Sequence, residues 1–143
     1  MAKNQKLSAK RQHKDATVEL ARLNREMAVK LMELANQTGD VEPLIEAVQA
    51  LRSAQEYYSP ENTPIENAIV QKKLGDILFK VGKNEHHERA LKHAVIAYRG
   101  ALTLASLLGE HKLRASIRQN YELALEYTGE KRIRPGLSLK GVA

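Results

Sequence analysis

The chain has 143 residues, no cysteine, no tryptophan, one phenylalanine and a formal net charge of +6. It is one domain's worth of polypeptide, and disulfides, thiolate zinc sites and thiol catalysis are excluded. The positive charge sits at the ends: residues 1–14 carry Lys3, Lys6, Lys10, Arg11 and Lys14 with no acid, residues 130–143 carry Lys131, Arg132, Arg134 and Lys140 against Glu130, and the body between is slightly acidic. No apolar run approaches the ~18 residues of a membrane span, and the N-terminus lacks the apolar segment of a secretory signal. A soluble, cytoplasmic protein without membrane contact is therefore expected.

Apolar residues recur at helical spacing along most of the chain. The first helix is expected over residues 15–38, with an earlier start near Ser8 open, with Leu20, Leu23, Met27, Leu31 and Leu34 as its stripe and Gly39 as its stop. Asp40 is placed to cap the second helix, whose first turn tolerates Pro43; it carries Leu44, Ala47, Val48, Leu51 and Ala54 and ends near Tyr58. Ser59-Pro60-Glu61-Asn62 reads as a turn, with Tyr57 or Tyr58 packed beneath it. Thr63, Pro64 and Glu66 then stand at the cap, first-turn and capping-box positions of a third helix over residues 64–81, stopped by Gly82. Asn84 is expected to cap a fourth helix with Leu91, Ala94, Val95, Tyr98, Ala101, Leu102 and Ala105 inward, ending near Leu108-Gly109. The fifth covers residues 112–128, with Leu113, Ile117, Tyr121, Ala124 and Leu125 inward and Gly129 as its stop. No alternating β-type pattern of useful length is present. The connections are short, which favours antiparallel neighbours. The expected organisation is a basic arm over residues 1–14, a helical domain over 15–129 and a basic tail over 130–143.

The chain also repeats itself. Residues 68–82 (AIVQKKLGDILFKVG) and 115–129 (ASIRQNYELALEYTG) are related by a shift of 47 residues, and the same shift relates residues 46–54 (EAVQALRSA) to 93–101 (HAVIAYRGA). A period of roughly 34–47 residues is the mark of helical repeat architectures, which hold partners on extended surfaces.

The second hairpin resembles a tetratricopeptide repeat. Leu74-Gly75, Leu78 and Gly82 stand at its helix-A positions, and Ala94, Tyr98 and Ala101 at the small–aromatic–small positions of helix B. Between Gly82 and Ala94 the chain runs longer than that family's norm and is similar to bacterial tandem repeats of this type. In the first hairpin Leu31, Gly39, Ala47, Leu51 and Ala54 match while Met32 replaces the helix-A glycine. In the last helix Tyr121 and Gly129 match while Glu122 replaces it. The resemblance spans about residues 20–129. It implies an all-α fold: antiparallel helical hairpins stacked as a short superhelix and closed by a capping helix. It also implies a non-enzymatic scaffold or adaptor that binds a protein or peptide in a concave groove lined by the A helices.

On that geometry the groove candidates are Lys30, Glu33, Asn36, Lys72, Asp76, Phe79, Lys80, Gln119, Asn120 and Tyr127. Phe79 is the leading anchor. Some members of the family grip a carboxylate with Lys and Asn at comparable positions, and Lys30, Lys72, Lys73 and Asn120 offer that chemistry without reproducing the spacing. His86, His87 and His93 lack the spacing of helical zinc ligands, so no metal is expected. There is no phosphate-cradling glycine loop and no nucleophile elbow, so neither a cofactor nor catalysis is expected. The basic ends can meet RNA, DNA, anionic lipid or an acidic protein surface by charge alone. This keeps open a second reading, a subunit of a larger assembly anchored by its tails, with nucleic acid contacted through the tails only. The first helix is longer than a repeat requires, so its outer face is expected to be covered by a second copy or a partner.

Overall fold

A computed structural model describes residues 2–55, 58–60 and 63–129, with side chains from residue 16 onward. It contains helices α1 (Ala2–Thr38), α2 (Glu42–Ala54), α3 (Ile65–Glu85), α4 (Glu88–Leu107) and α5 (His111–Thr128), and no strand among the described residues. No helix there is long and apolar enough to cross a membrane. α1 thus begins well upstream of Asp15. The side chains of Lys3, Lys6, Lys10, Arg11 and Lys14 lie outside the described residues, as do Tyr57 and the tail with Lys131, Arg132 and Arg134.

The fold is all-α. α1 pairs with α2 and α3 with α4 as antiparallel hairpins, and α5 packs on the second hairpin. α1, α3 and α5 lie in one layer; α2 and α4 form the other. The internal repeat is built into the core. One 47-residue step carries Ala47, Val48, Leu51 and Ala54 of α2 onto Ala94, Val95, Tyr98 and Ala101 of α4, and all of these are buried. The same step carries Ala21, Ala28 and Ala35 of α1 onto Ala68, Gly75 and Gly82 of α3, again all buried. The α1 counterpart of Gly75 is therefore Ala28, not Met32, which is half-buried at the edge of the core.

That small-residue face displaces most of the leucine stripe expected for α1, of which Met27 and Leu31 are half-buried and Leu31 packs on the core. Thr17, Ala21, Ala28 and Ala35 are buried, whereas Leu20, Leu23 and Leu34 are 36%, 49% and 44% exposed. The cause is geometric. Small side chains let neighbouring helices approach closely and gain dense packing, and a row of leucines at the contact would hold them apart. Close approach is seen at Gly75, where an added Cβ would lie 2.7 Å from Cδ1 and Cε1 of the Tyr98 ring. At Gly82 it would lie 2.6 Å from Cγ of Leu91.

Gly82 does not stop α3, as its glycine suggested. The helix runs on to Glu85 and ends at His86, which adopts the left-handed region at φ 53°. The His87 amide closes the turn onto the Gly82 carbonyl at 3.0 Å, a Schellman-type end. Asn84 is inside α3, so the cap of α4 falls instead to His87, whose Nδ1 accepts from the Ala90 amide at 3.1 Å. Gly39 and Gly129 do end their helices, both at positive φ. Asp40 serves α2 from outside the cap position, its Oδ1 accepting from the Glu42 amide at 3.1 Å.

α2 ends at Ala54 rather than near Tyr58. The Tyr58 ring packs with Ala21, Ala54, Ala68 and Leu104, and its hydroxyl accepts from Asn24 at 3.3 Å. Asn67, which the pattern did not mark, is fully buried between α1 and α3. Its Nδ2 donates to the Ala21 carbonyl at 3.0 Å, and its Oδ1 accepts from Arg25 Nη1 at 2.8 Å. A buried amide left unpaired would cost stability, so this arrangement favours one relative setting of the two helices.

α3 starts one residue later than expected. Pro64 takes the cap position, and the Thr63 hydroxyl is buried with no hydrogen-bond partner. Thr63→Val keeps the side-chain shape and removes an unsatisfied buried group, so it should stabilise the fold by about 1 kcal/mol, measured by urea denaturation. Gly75→Ala should do the opposite and cost about 2 kcal/mol through overpacking against Tyr98. In a double-mutant cycle with Tyr98→Leu, which removes the ring, most of that cost should vanish.

Candidate functional site

The face of the α1–α3–α5 layer away from α2 and α4 is where the sequence pattern placed a groove. Its α1 candidates Lys30, Glu33 and Asn36 are all exposed. Lys30 and Glu33 border a shallow depression of about 600 Å³ against Glu66, Ile69 and Lys73 of α3. Asn36 and Lys80 border a second, of about 410 Å³, together with Met32 and Ile77. Gln119 stands apart, exposed on α5 beside Leu123 in a third depression of about 580 Å³.

The structure draws the other candidates into two clusters. In the first, Asp76 accepts from the Tyr98 hydroxyl at 2.5 Å and from Asn120 Nδ2 at 2.9 Å on one oxygen, and from Lys72 Nζ at 3.1 Å on the other. Burial, then the Asp76 carboxylate, pushes the Tyr98 phenol far above its ordinary value, so it remains a donor. One carboxylate thereby ties α3 to both α4 and α5. Lys72 and Asn120, which offered the chemistry for gripping a carboxylate without the spacing, are engaged by a carboxylate of the chain itself.

In the second cluster the Phe79 and Tyr127 rings meet edge to face, with centroids 6.0 Å apart and planes at 68°. Lys83 Nζ lies 4.8 Å over the Phe79 ring. Phe79 is half-buried against the core; Tyr127 is 48% exposed. Of this pair, Tyr127 is the side chain open to a partner.

The histidines are engaged separately. His86 is exposed at the end of α3, His87 caps α4, and His93 is buried with Nδ1 2.9 Å from the Arg89 carbonyl oxygen. No group of three or more metal-ligating side chains gathers among the described residues.

What the pattern did not mark is apolar. Val29, Ile77 and Leu123 are 38%, 38% and 54% exposed on this layer. Ile77 lies between charged neighbours on α3, and a periodicity reading counts it as a helix-interior residue. Its outward register could have been found by setting it against Leu74 and Leu78, both wholly buried.

No family model, no curated protein and no solved structure matches this chain. Its function has to be read from its own surfaces.

The Asp76 cluster gives a direct test of how the site is held. Asp76→Ala should cost about 2 kcal/mol, much of it from stranding the buried Tyr98 hydroxyl. Adding Tyr98→Phe should recover a large part of that loss, measured by thermal unfolding of the single and double variants.

Proposed function

We propose that the chain is a non-enzymatic binding scaffold, of tetratricopeptide-repeat type, that presents the α1–α3–α5 layer to a polypeptide partner. The observation that supports this most directly is the exposure of Val29, Ile77, Leu123 and Tyr127 on that layer. Val29, Ile77 and Leu123 each line a separate depression of the layer bordered by polar side chains, a row of apolar footholds rather than one patch. Lys73 and Lys80 stand exposed on α3 beside Glu33, Glu66 and Glu85, which fits a segment that pairs apolar anchors with charged side chains, acidic ones against the two lysines. A rigid backing suits such a surface, because a pre-ordered face loses less freedom on binding; the Asp76 cluster supplies it. The absence of thiols and of a nucleophile elbow is in keeping with a role in holding rather than converting a partner, and a cytoplasmic setting is part of the same reading.

A second reading, a subunit of a larger assembly, is favoured by α1. Its leucines at positions 20, 23 and 34 face outward, on the same helix that bears the N-terminal basic residues. Here α1 would associate with a second copy or a neighbouring subunit while the basic ends make contacts, with nucleic acid among their partners.

Peptide-display selection against the full chain separates the two. Selected peptides should combine apolar and acidic residues, and Leu123→Glu or Lys80→Glu should weaken them at least about tenfold, a loss of about 1.4 kcal/mol. Peptides indifferent to both substitutions but lost with Leu23→Glu would overturn the groove and favour association through α1.

A further inference from the structure

The opposite side of the molecule holds a crevice that no part of the groove reading uses. It lies between α2, α3 and α4, has a volume of about 210 Å³, and is lined by Arg52, Gln55, Gln71, Arg99, Gly100 and Thr103 among others. Four features of it converge.

The first is Gln71. It is 4% exposed, yet its Nε2 has no hydrogen-bond partner. A buried amide donor without an acceptor costs free energy, and such a group in a native fold calls for an explanation. The second is Gly100. A Cβ there would fall 2.1 Å from Gln71 Oε1 and 3.1 Å from Gln55 Oε1, so only the missing side chain leaves room for the Gln71 amide beside the crevice. Gln55 Nε2, for its part, reaches the Gly100 carbonyl at 3.4 Å. The third is charge. Two guanidinium-bearing residues line the crevice and no carboxylate does. Arg99 is engaged by α5, its Nε on the Tyr121 hydroxyl at 3.3 Å and its guanidinium carbon 6.0 Å from the Tyr121 ring centroid, so it adds charge at the rim and leaves Arg52 as the arginine to meet a ligand directly.

The fourth is repetition. Arg52 and Arg99 are related by the 47-residue step, and the same step carries Gln71 onto Arg118. A related crevice follows between α4 and α5, lined by Arg99, Arg114, Arg118 and also Glu122. The first crevice is the member of the pair without an acid.

We propose that the Gln71–Arg52–Arg99 crevice binds a phosphate-type oxyanion. Guanidinium groups match phosphate oxygens in charge and planar geometry, and Gln71, whose Oε1 lies toward Gly100 and whose Nε2 is unpaired, would turn its terminal amide to donate to the anion. The crevice is below the ~300–1,000 Å³ of pockets that enclose drug-sized ligands. It suits a single phosphate group, free or presented by a larger molecule.

The test is a titration of the full chain with inorganic phosphate at constant ionic strength, read by NMR at the Gln71 side-chain amide. The basic ends also attract anions, so a site-specific signal is needed. The expected result is a saturable shift of that amide, absent with chloride, weakened at least about tenfold by Arg52→Gln and abolished by Gly100→Ala, whose methyl displaces the Gln71 amide. Circular dichroism checks that both variants keep their helices. A parallel titration with phosphoserine separates the sources: tighter binding than inorganic phosphate means the group arrives on a larger molecule, and weaker binding means a free anion. No saturable movement with either would mean that water alone fills the crevice and would overturn the proposal. An undiminished response in Arg52→Gln would overturn it equally.

Discussion

The close approach of α3 and α4 is the constraint on which the rest of this fold rests. It depends on two residues that act together. Gly75 has no side chain, so the Tyr98 ring can lie against the α3 backbone. The ring's position then carries its hydroxyl to Asp76. Asp76 in turn receives Asn120 from α5. Packing and hydrogen bonding are thus one device: the glycine sets the distance between two helices, and the polar atoms that this distance brings together recruit the third. A tyrosine buried in this way needs a partner for its hydroxyl, and the acceptor comes from the helix its ring lies against.

The first hairpin repeats the plan in weaker form. Ala28 stands for Gly75 and Leu51 for Tyr98, both in the core, but a leucine has no hydroxyl and no polar node can form around it. The join between α1 and α3 is made elsewhere, by Asn67 between Arg25 and the Ala21 carbonyl. The two ties thus differ in place and kind: a buried amide between α1 and α3, and a partly exposed carboxylate among α3, α4 and α5. The shared packing gives the repeat its translation, and the differing ties are consistent with favouring one neighbour arrangement over slipped alternatives of the same helices.

This explains what could be read from the chain alone. Five helices, their order and the ends at Gly39 and Gly129 were legible because capping and turn chemistry is local. Most of the inward face of α4 and Ile117, Ala124 and Leu125 of α5 were legible from helical spacing, but the fully buried Leu104 was missed and Leu102, Leu113 and Tyr121 are only half-buried. α1 was misread for the converse reason. Its largest apolar residues, Leu20, Leu23 and Leu34, are not its most buried ones, and what selects the buried row is the closeness demanded by neighbours far along the sequence. Gly82 was misread because glycine serves two purposes, ending helices and letting side chains such as Leu91 approach. At the candidate site, Lys72, Asp76 and Asn120 were three of ten residues placed on the groove face, and the pattern did not single them out as a cluster. Their engagement with one another, and with Tyr98, is tertiary and leaves no trace in periodicity.

The two sides of the molecule follow from the same repeat. In one layer the helices turn their polar and half-apolar faces outward, so successive A helices lay a row of side chains across the fold. In the other, each pair of successive hairpins leaves a crevice where the residue at the Gly100 position meets the helix of the next layer. Ser53 occupies the position one repeat before Gly100, so the glycine belongs to this crevice and is not a fixed feature of the repeat. A glycine in mid-helix costs roughly 1 kcal/mol against alanine, and Gly75 and Gly82 offset that with ring and leucine packing. Gly100 has no such packing partner. Its neighbours are the polar ends of Gln71 and Gln55, and the space it leaves is bordered by arginines. The cost at this position is therefore set against something other than core density. Room for a polar ligand is the compensation that the lining residues, their charge and the unpaired Gln71 amide share.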